Sequence, residues 1–115
     1  MARIPRTLAA VLMTGALSAG YFVVASPANA ATCPTTRSPR IDGGEAHWKL
    51  SCRDGDLRIT GWVDDTRADA KCAVVRIDPH VGSLREIKAC GSGARETFDE
   101  TFYSTDTANV TLFLR

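Results

Sequence analysis

The sequence predicts a small all-β protein, an antiparallel sandwich of six or seven strands stapled by two disulfides. Three observations carry this expectation: strict two-residue alternation in short runs, turn chemistry between the runs, and four cysteines about twenty residues apart. No window after residue 30 has a helical period.

The first thirty residues stand apart from this pattern and read as a secretion leader. Arg3 and Arg6 form a positive start, Thr7 to Ala25 carry no charge and are dominated by apolar residues, and Pro27 ends any helix there. Ala28-Asn29-Ala30 then puts small residues where a signal peptidase needs them, so cleavage is expected before Ala31. An uncleaved anchor is the competing reading, since about 18 apolar residues can cross a bilayer. Gly15, Gly20 and the cleavage site weigh against it, as does the poor fit of the residues before Cys33 to a lipid-attachment site. The expected product is secreted and extracellular, with no membrane contact after cleavage.

The chain is therefore divided into residues 1–30 (leader), 31–45 (an extended arm held by Cys33 and marked by Pro34, Pro39 and Gly43-Gly44) and 46–115 (the sandwich). Of 14 basic and 13 acidic side chains, the leader takes Arg3 and Arg6, leaving 12 against 13. The basic residues left are dispersed among acids, so no field remains to attract nucleic acid. A domain of about 85 residues buries a modest share of its surface and often needs covalent help. Cys33, Cys52, Cys72 and Cys90 all follow the cleavage site, an even number in an oxidising compartment. They form no Cys-x-x-Cys pair, and His47 and His80 stand at no ligand spacing from them, so no metal is expected.

Each strand pair can be registered from its turn. Ala46 to Cys52 and Leu57 to Val63 flank Arg53-Asp54-Gly55-Asp56, and Asp-Gly is a preferred centre of a type I′ turn. With Asp54-Gly55 as the turn, Cys52 faces Leu57, Leu50 faces Ile59 and Trp48 faces Gly61 on an apolar side. Ser51 faces Arg58, Lys49 faces Thr60 and His47 faces Trp62 on a polar side. Across the loop 78–83 between Cys72 to Ile77 and Leu84 to Cys90, a register that leaves Leu84 unpaired sets Ile77 against Arg85, Val75 against Ile87 and Ala73 against Ala89. The other face sets Arg76 against Glu86 and Cys72 against Cys90. A cross-strand Cys72–Cys90 disulfide follows, and Cys33–Cys52 by elimination. Past Gly91-Ser92-Gly93, Phe98 and Phe102 share one face of the run 96–103, and Val110, Leu112 and Leu114 share one face of 108–114.

No catalytic signature stands out, and no cofactor is implied. Gly82-Ser83 and Gly91-Ser92-Gly93 do not make a Gly-x-Ser-x-Gly elbow, there is no phosphate-binding glycine loop, and Asp78, His80 and Ser83 crowd one proline-containing turn rather than converging from separate elements. Asp64, Asp65 and Asp69 cluster in one loop, but the Asp alternation and central Gly of a calcium loop are missing, and Arg67 and Lys71 compete for the carboxylates.

The candidate binding residues are Trp62, His47, Lys49 and Arg58, on the polar side of the first hairpin. A large amphipathic ring among polar donors suits a protein-binding hot spot or a sugar-stacking platform; the competing role for Trp62 is packing under a loop or the arm. The run Gly61-Trp62-Val63-Asp64-Asp65-Thr66-Arg67-Ala68-Asp69-Ala70-Lys71-Cys72, then Ala89-Cys90-Gly91 and Val110-Thr111-Leu112-Phe113-Leu114, resembles small secreted proteins of actinobacterial type. That resemblance implies a disulfide-containing β-sandwich and no assigned activity. Small secreted α-amylase inhibitors match in size and disulfide pattern, but their Trp-Arg-Tyr triplet is absent: Trp48 precedes Lys49-Leu50, and Trp62 precedes Val63-Asp64. The expected function is a secreted binding module for an unknown protein or glycan. A small hydrolase assembled from distant strands and a structural cell-envelope protein are the alternatives.

Overall fold

A computed structural model describes residues 30–115, so the leader expected over 1–30 lies outside the described residues except for Ala30. Nine strands follow in order: β1 (Ala30–Thr32), β2 (Thr35–Arg37), β3 (Arg40–Ile41), β4 (Gly44–Arg53), β5 (Asp56–Asp65), β6 (Cys72–Pro79), β7 (Arg85–Cys90), β8 (Arg95–Phe102) and β9 (Thr107–Leu114). They form two antiparallel sheets. One has the order β1-β9-β6-β7; the other has β2-β4-β5-β8, with β3 also pairing on β4. Six strands are long, and the three short ones come from the arm.

The β4–β5 hairpin turns at Asp54 (φ 54°) and Gly55 (φ 83°), the two left-handed positions a type I′ turn demands. Its ladder runs unbroken from Arg53↔Asp56 to Gly44↔Asp65 and includes Cys52↔Leu57, Leu50↔Ile59, Trp48↔Gly61 and His47↔Trp62. The β6–β7 ladder likewise pairs Cys72↔Cys90, Val75↔Ile87 and Arg76↔Glu86. Both registers are those the turns predict, and both disulfides form as expected, Cys33–Cys52 and Cys72–Cys90.

Alternation then decides what is buried. Ala46, Trp48, Leu50, Leu57, Ile59, Val63, Phe98 and Phe102 from one sheet meet Ala73, Val75, Ile77, Ala89, Ala108, Val110 and Leu112 from the other. Gly61 sits opposite Trp48, where a Cβ would lie 2.0 Å from the His47 carbonyl oxygen, so only glycine fits.

The arm is an integral part of the sandwich. β1 pairs with β9, while β2 and β3 pair with β4, so the chain switches sheets between Thr32 and Thr35 beside the disulfide at Cys33. Ser38-Pro39 divides β2 from β3: proline has no N–H to donate to the ladder, though its carbonyl accepts from Ala46 N at 3.0 Å. The bond expected to be cut, Ala30 to Ala31, falls within β1, with the pairs Ala31↔Ala108 and Thr32↔Thr107 on its C-terminal side.

Replacing Gly61 by Ala should cost about 3 kcal/mol or more, because the clash is with backbone on the neighbouring strand rather than with a side chain able to turn away. Urea unfolding should show the loss as a lower midpoint at unchanged slope.

Candidate functional site

On a sheet with one buried face, the side chains left outside are the ones available for chemistry. The outer face of the β2-β4-β5-β8 sheet follows from the ladders: Glu45, His47, Lys49 and Ser51 on β4, Asp64, Trp62, Thr60 and Arg58 on β5, and Arg95, Thr97, Asp99 and Thr101 on β8. All four residues singled out from sequence share this face. Trp62 is half-buried and stacks on His47, with ring centroids 6.1 Å apart and planes 25° from parallel. Ser38 Oγ lies 2.7 Å from His47 Nδ1, which sets the imidazole from the arm side.

From the other flank of β5, Arg95 places its guanidinium carbon 3.8 Å from the centre of the Trp62 ring. Its Nε and Nη2 donate to the two carboxylate oxygens of Asp64 at 2.6 and 2.8 Å. Those hydrogen bonds raise the Arg95 pKa further above its ordinary value. A planar cation over an indole and a bidentate carboxylate reinforce one another, since each fixes the plane that the other needs. Trp62 is thus contacted from both neighbouring strands. The sugar-stacking role expected for it would require Arg95 to leave the ring centre.

Lys49 and Arg58 behave differently from the aromatic pair. Arg58 gives Nε and Nη2 to Asp99 at 2.9 and 2.6 Å and holds that carboxylate below its usual range. Lys49 is exposed between Thr36 and Thr60 and makes no ion pair among the described residues. The acidic trio expected in one loop is dispersed: Asp64 and Asp65 are the last residues of β5, Asp64 serving Arg95 and Asp65 turning inward, while Asp69 Oδ1 accepts from Lys71 N at 3.0 Å. Asp65 is buried, its carboxylate accepting from Arg67 N at 3.1 Å and Gly91 N at 2.7 Å, while its main chain exchanges bonds with Gly93 and Ala94. It ties the β5–β6 loop to the β7–β8 turn.

A second cluster, on the outer face of the β1-β9-β6-β7 sheet, went unread in the sequence beyond its Arg76–Glu86 pair. Arg115, in register with Cys72, reaches across β6 to Glu86 on β7, giving Nη1 and Nη2 at 2.7 and 2.9 Å. Arg76 Nε reaches the same carboxylate at 2.8 Å. Both guanidiniums also lie against the Phe113 ring, 4.8 Å (Arg76) and 5.3 Å (Arg115) from its centre. Val74, on this outer face between Lys88 and Phe113, is fully buried under the cluster although its neighbours in the core point the other way.

Hydrogen bonds from Arg115 and then Arg76 push the Glu86 pKa down to about 2. A carboxyl whose folded value is lowered stabilises the fold above its unfolded value, and that contribution fades as pH falls towards the folded one. Stability should therefore decline from the ordinary glutamate range down to about pH 2, and Glu86→Gln should flatten that part of the profile in denaturant unfolding across pH.

Comparison with known proteins finds no matching family model, no similar curated protein and no similar solved structure.

Proposed function

We propose that this chain is a secreted binding module that recognises a protein partner through the outer face of the β2-β4-β5-β8 sheet. The observation that carries the reading is Trp62 held by His47 and by the Arg95–Asp64 pair. Tryptophan and arginine are the side chains most often found at the energetic centre of protein interfaces, and here they are ordered before any partner arrives. Ordering in advance lowers the entropy lost on association, and the two disulfides extend that rigidity to the backbone. A protein surface suits the site better than a sugar ring, because the ring centre already carries Arg95 while the tryptophan edge, Lys49 and the threonine hydroxyls remain on the face. Four half-cystines with no free thiol agree with an extracellular setting, the destination the leader implies.

Capture of proteins from native culture supernatant on the immobilised mature chain tests the reading. Wild type should retain a defined protein, and both Trp62→Ala and Arg95→Ala should weaken capture at least about thirtyfold, the scale of an interface hot spot. The Trp62 variant should stay folded, losing about 1 kcal/mol, or about 4–8 °C in Tm. Equal capture by wild type and both variants would overturn the proposal, as would loss of capture only where folding is lost. N-terminal sequencing of the exported product should start at Ala31; a chain still carrying Met1 would refute the export step.

A further inference from the structure

We infer that the outer face of the opposite sheet, β1-β9-β6-β7, holds a second site, one that takes a tetrahedral oxyanion: a phosphate or sulfate group. Three cationic side chains share that face: Arg76 from β6 and Arg115 just after β9 converge on a single carboxylate, Glu86, and Lys88 on β7 stands on the same face two residues from Glu86. Arg76 and Arg115 both spend their charge on that one group, and Lys88 has no acidic partner among the described residues. Among these side chains positive charge is in excess, and the excess is concentrated rather than spread over the surface.

Preorganisation distinguishes this cluster from a chance grouping of surface cations. Glu86 anchors one edge of each guanidinium, and Phe113 supports both. Long side chains that usually lose rotamer freedom on binding have already lost it. Their side chains remain 43% (Arg76) and 47% (Arg115) exposed, so neither guanidinium is sealed off by the protein, and each has a donor not used on Glu86. Those donors are Nη1 of Arg76, Nε of Arg115 and the Lys88 ammonium, none with a protein acceptor among the described residues. Because they come from three different strands, they do not lie along one planar fork. A planar carboxylate already occupies the fork position in the form of Glu86, whereas a tetrahedral oxyanion offers oxygens in three directions. The site lies on the sheet opposite Trp62, so it stands or falls independently of the protein-binding face.

The test is a titration followed by two-dimensional NMR of backbone amides and arginine Nε–Hε groups, at constant ionic strength, with inorganic phosphate, sucrose octasulfate and acetate as probes. Phosphate should give saturable shifts at Arg76, Lys88 and Arg115, and acetate should bind at least about tenfold more weakly. Lys88→Gln, an exposed change that leaves the fold intact, should weaken phosphate about three- to fivefold. Glu86→Gln keeps a carbonyl acceptor for the guanidiniums while removing the competing negative charge, and should strengthen phosphate binding; weaker binding with the amide spectrum otherwise unchanged would overturn the inference. Trp62→Ala should change nothing. Sulfate groups bound more tightly on the octasulfate than phosphate is free would assign a polymer-borne group, and equal affinity per group a free ion. Shifts that never saturate, acetate binding as well as phosphate, or an unaffected Lys88 variant would overturn the inference.

Discussion

The register of the β4–β5 hairpin is the constraint on which most of the structure rests. Two residues with positive φ at Asp54-Gly55 align ten pairs of residues, and a slip by one would turn every side chain of one strand to the other face. Trp48 would then lose its place over Gly61, and Cys52 would leave the edge where it meets Cys33. Core and candidate site are two faces of this single alignment: the pairs that bury Leu50 and Ile59 are interleaved with the pair that stacks His47 on Trp62.

Around that hairpin the arm covers one edge of each sheet. Free strand edges invite pairing with other molecules, and the β4 edge is covered by β2 and β3, while β1 covers the edge of β9. One disulfide locks the arm where it passes between the sheets, and the other joins β6 to β7 across the ladder. Asp65 adds a polar tie beside the second: a buried carboxylate whose backbone donors come from two loops, one of them the turn just after Cys90. In a domain this small, such ties supplement a core that size alone keeps modest.

The two outer faces answer the same physical problem in different ways. Each sets an aromatic ring on an exposed sheet and covers it with arginine, and each fixes the arginine with a carboxylate. On the Trp62 face the charges are mostly matched one to one: Arg95 with Asp64, Arg58 with Asp99, and Arg40 with Glu45. On the Phe113 face two guanidiniums share one carboxylate. Matched pairs favour contact with a surface of mixed polarity, and the unmatched cluster favours an anion.

What could be read without tertiary structure was whatever a short turn controls. Asp54-Gly55 and the short connection between Ile77 and Arg85 each join adjacent strands, so local geometry sets the pairing, and with it the inner face, the Cys72–Cys90 bridge and the neighbourhood of His47 and Trp62. The strands that meet across long stretches of chain were decided only by folding: β8 beside β5, β9 beside β6, and the arm split between both sheets. No turn sets their register; packing of both inner faces at once does. Arg95 over Trp62 and Arg115 on Glu86 depend on those distant pairings, which is why the clamp on the tryptophan and the whole Phe113 cluster emerged only from the three-dimensional arrangement.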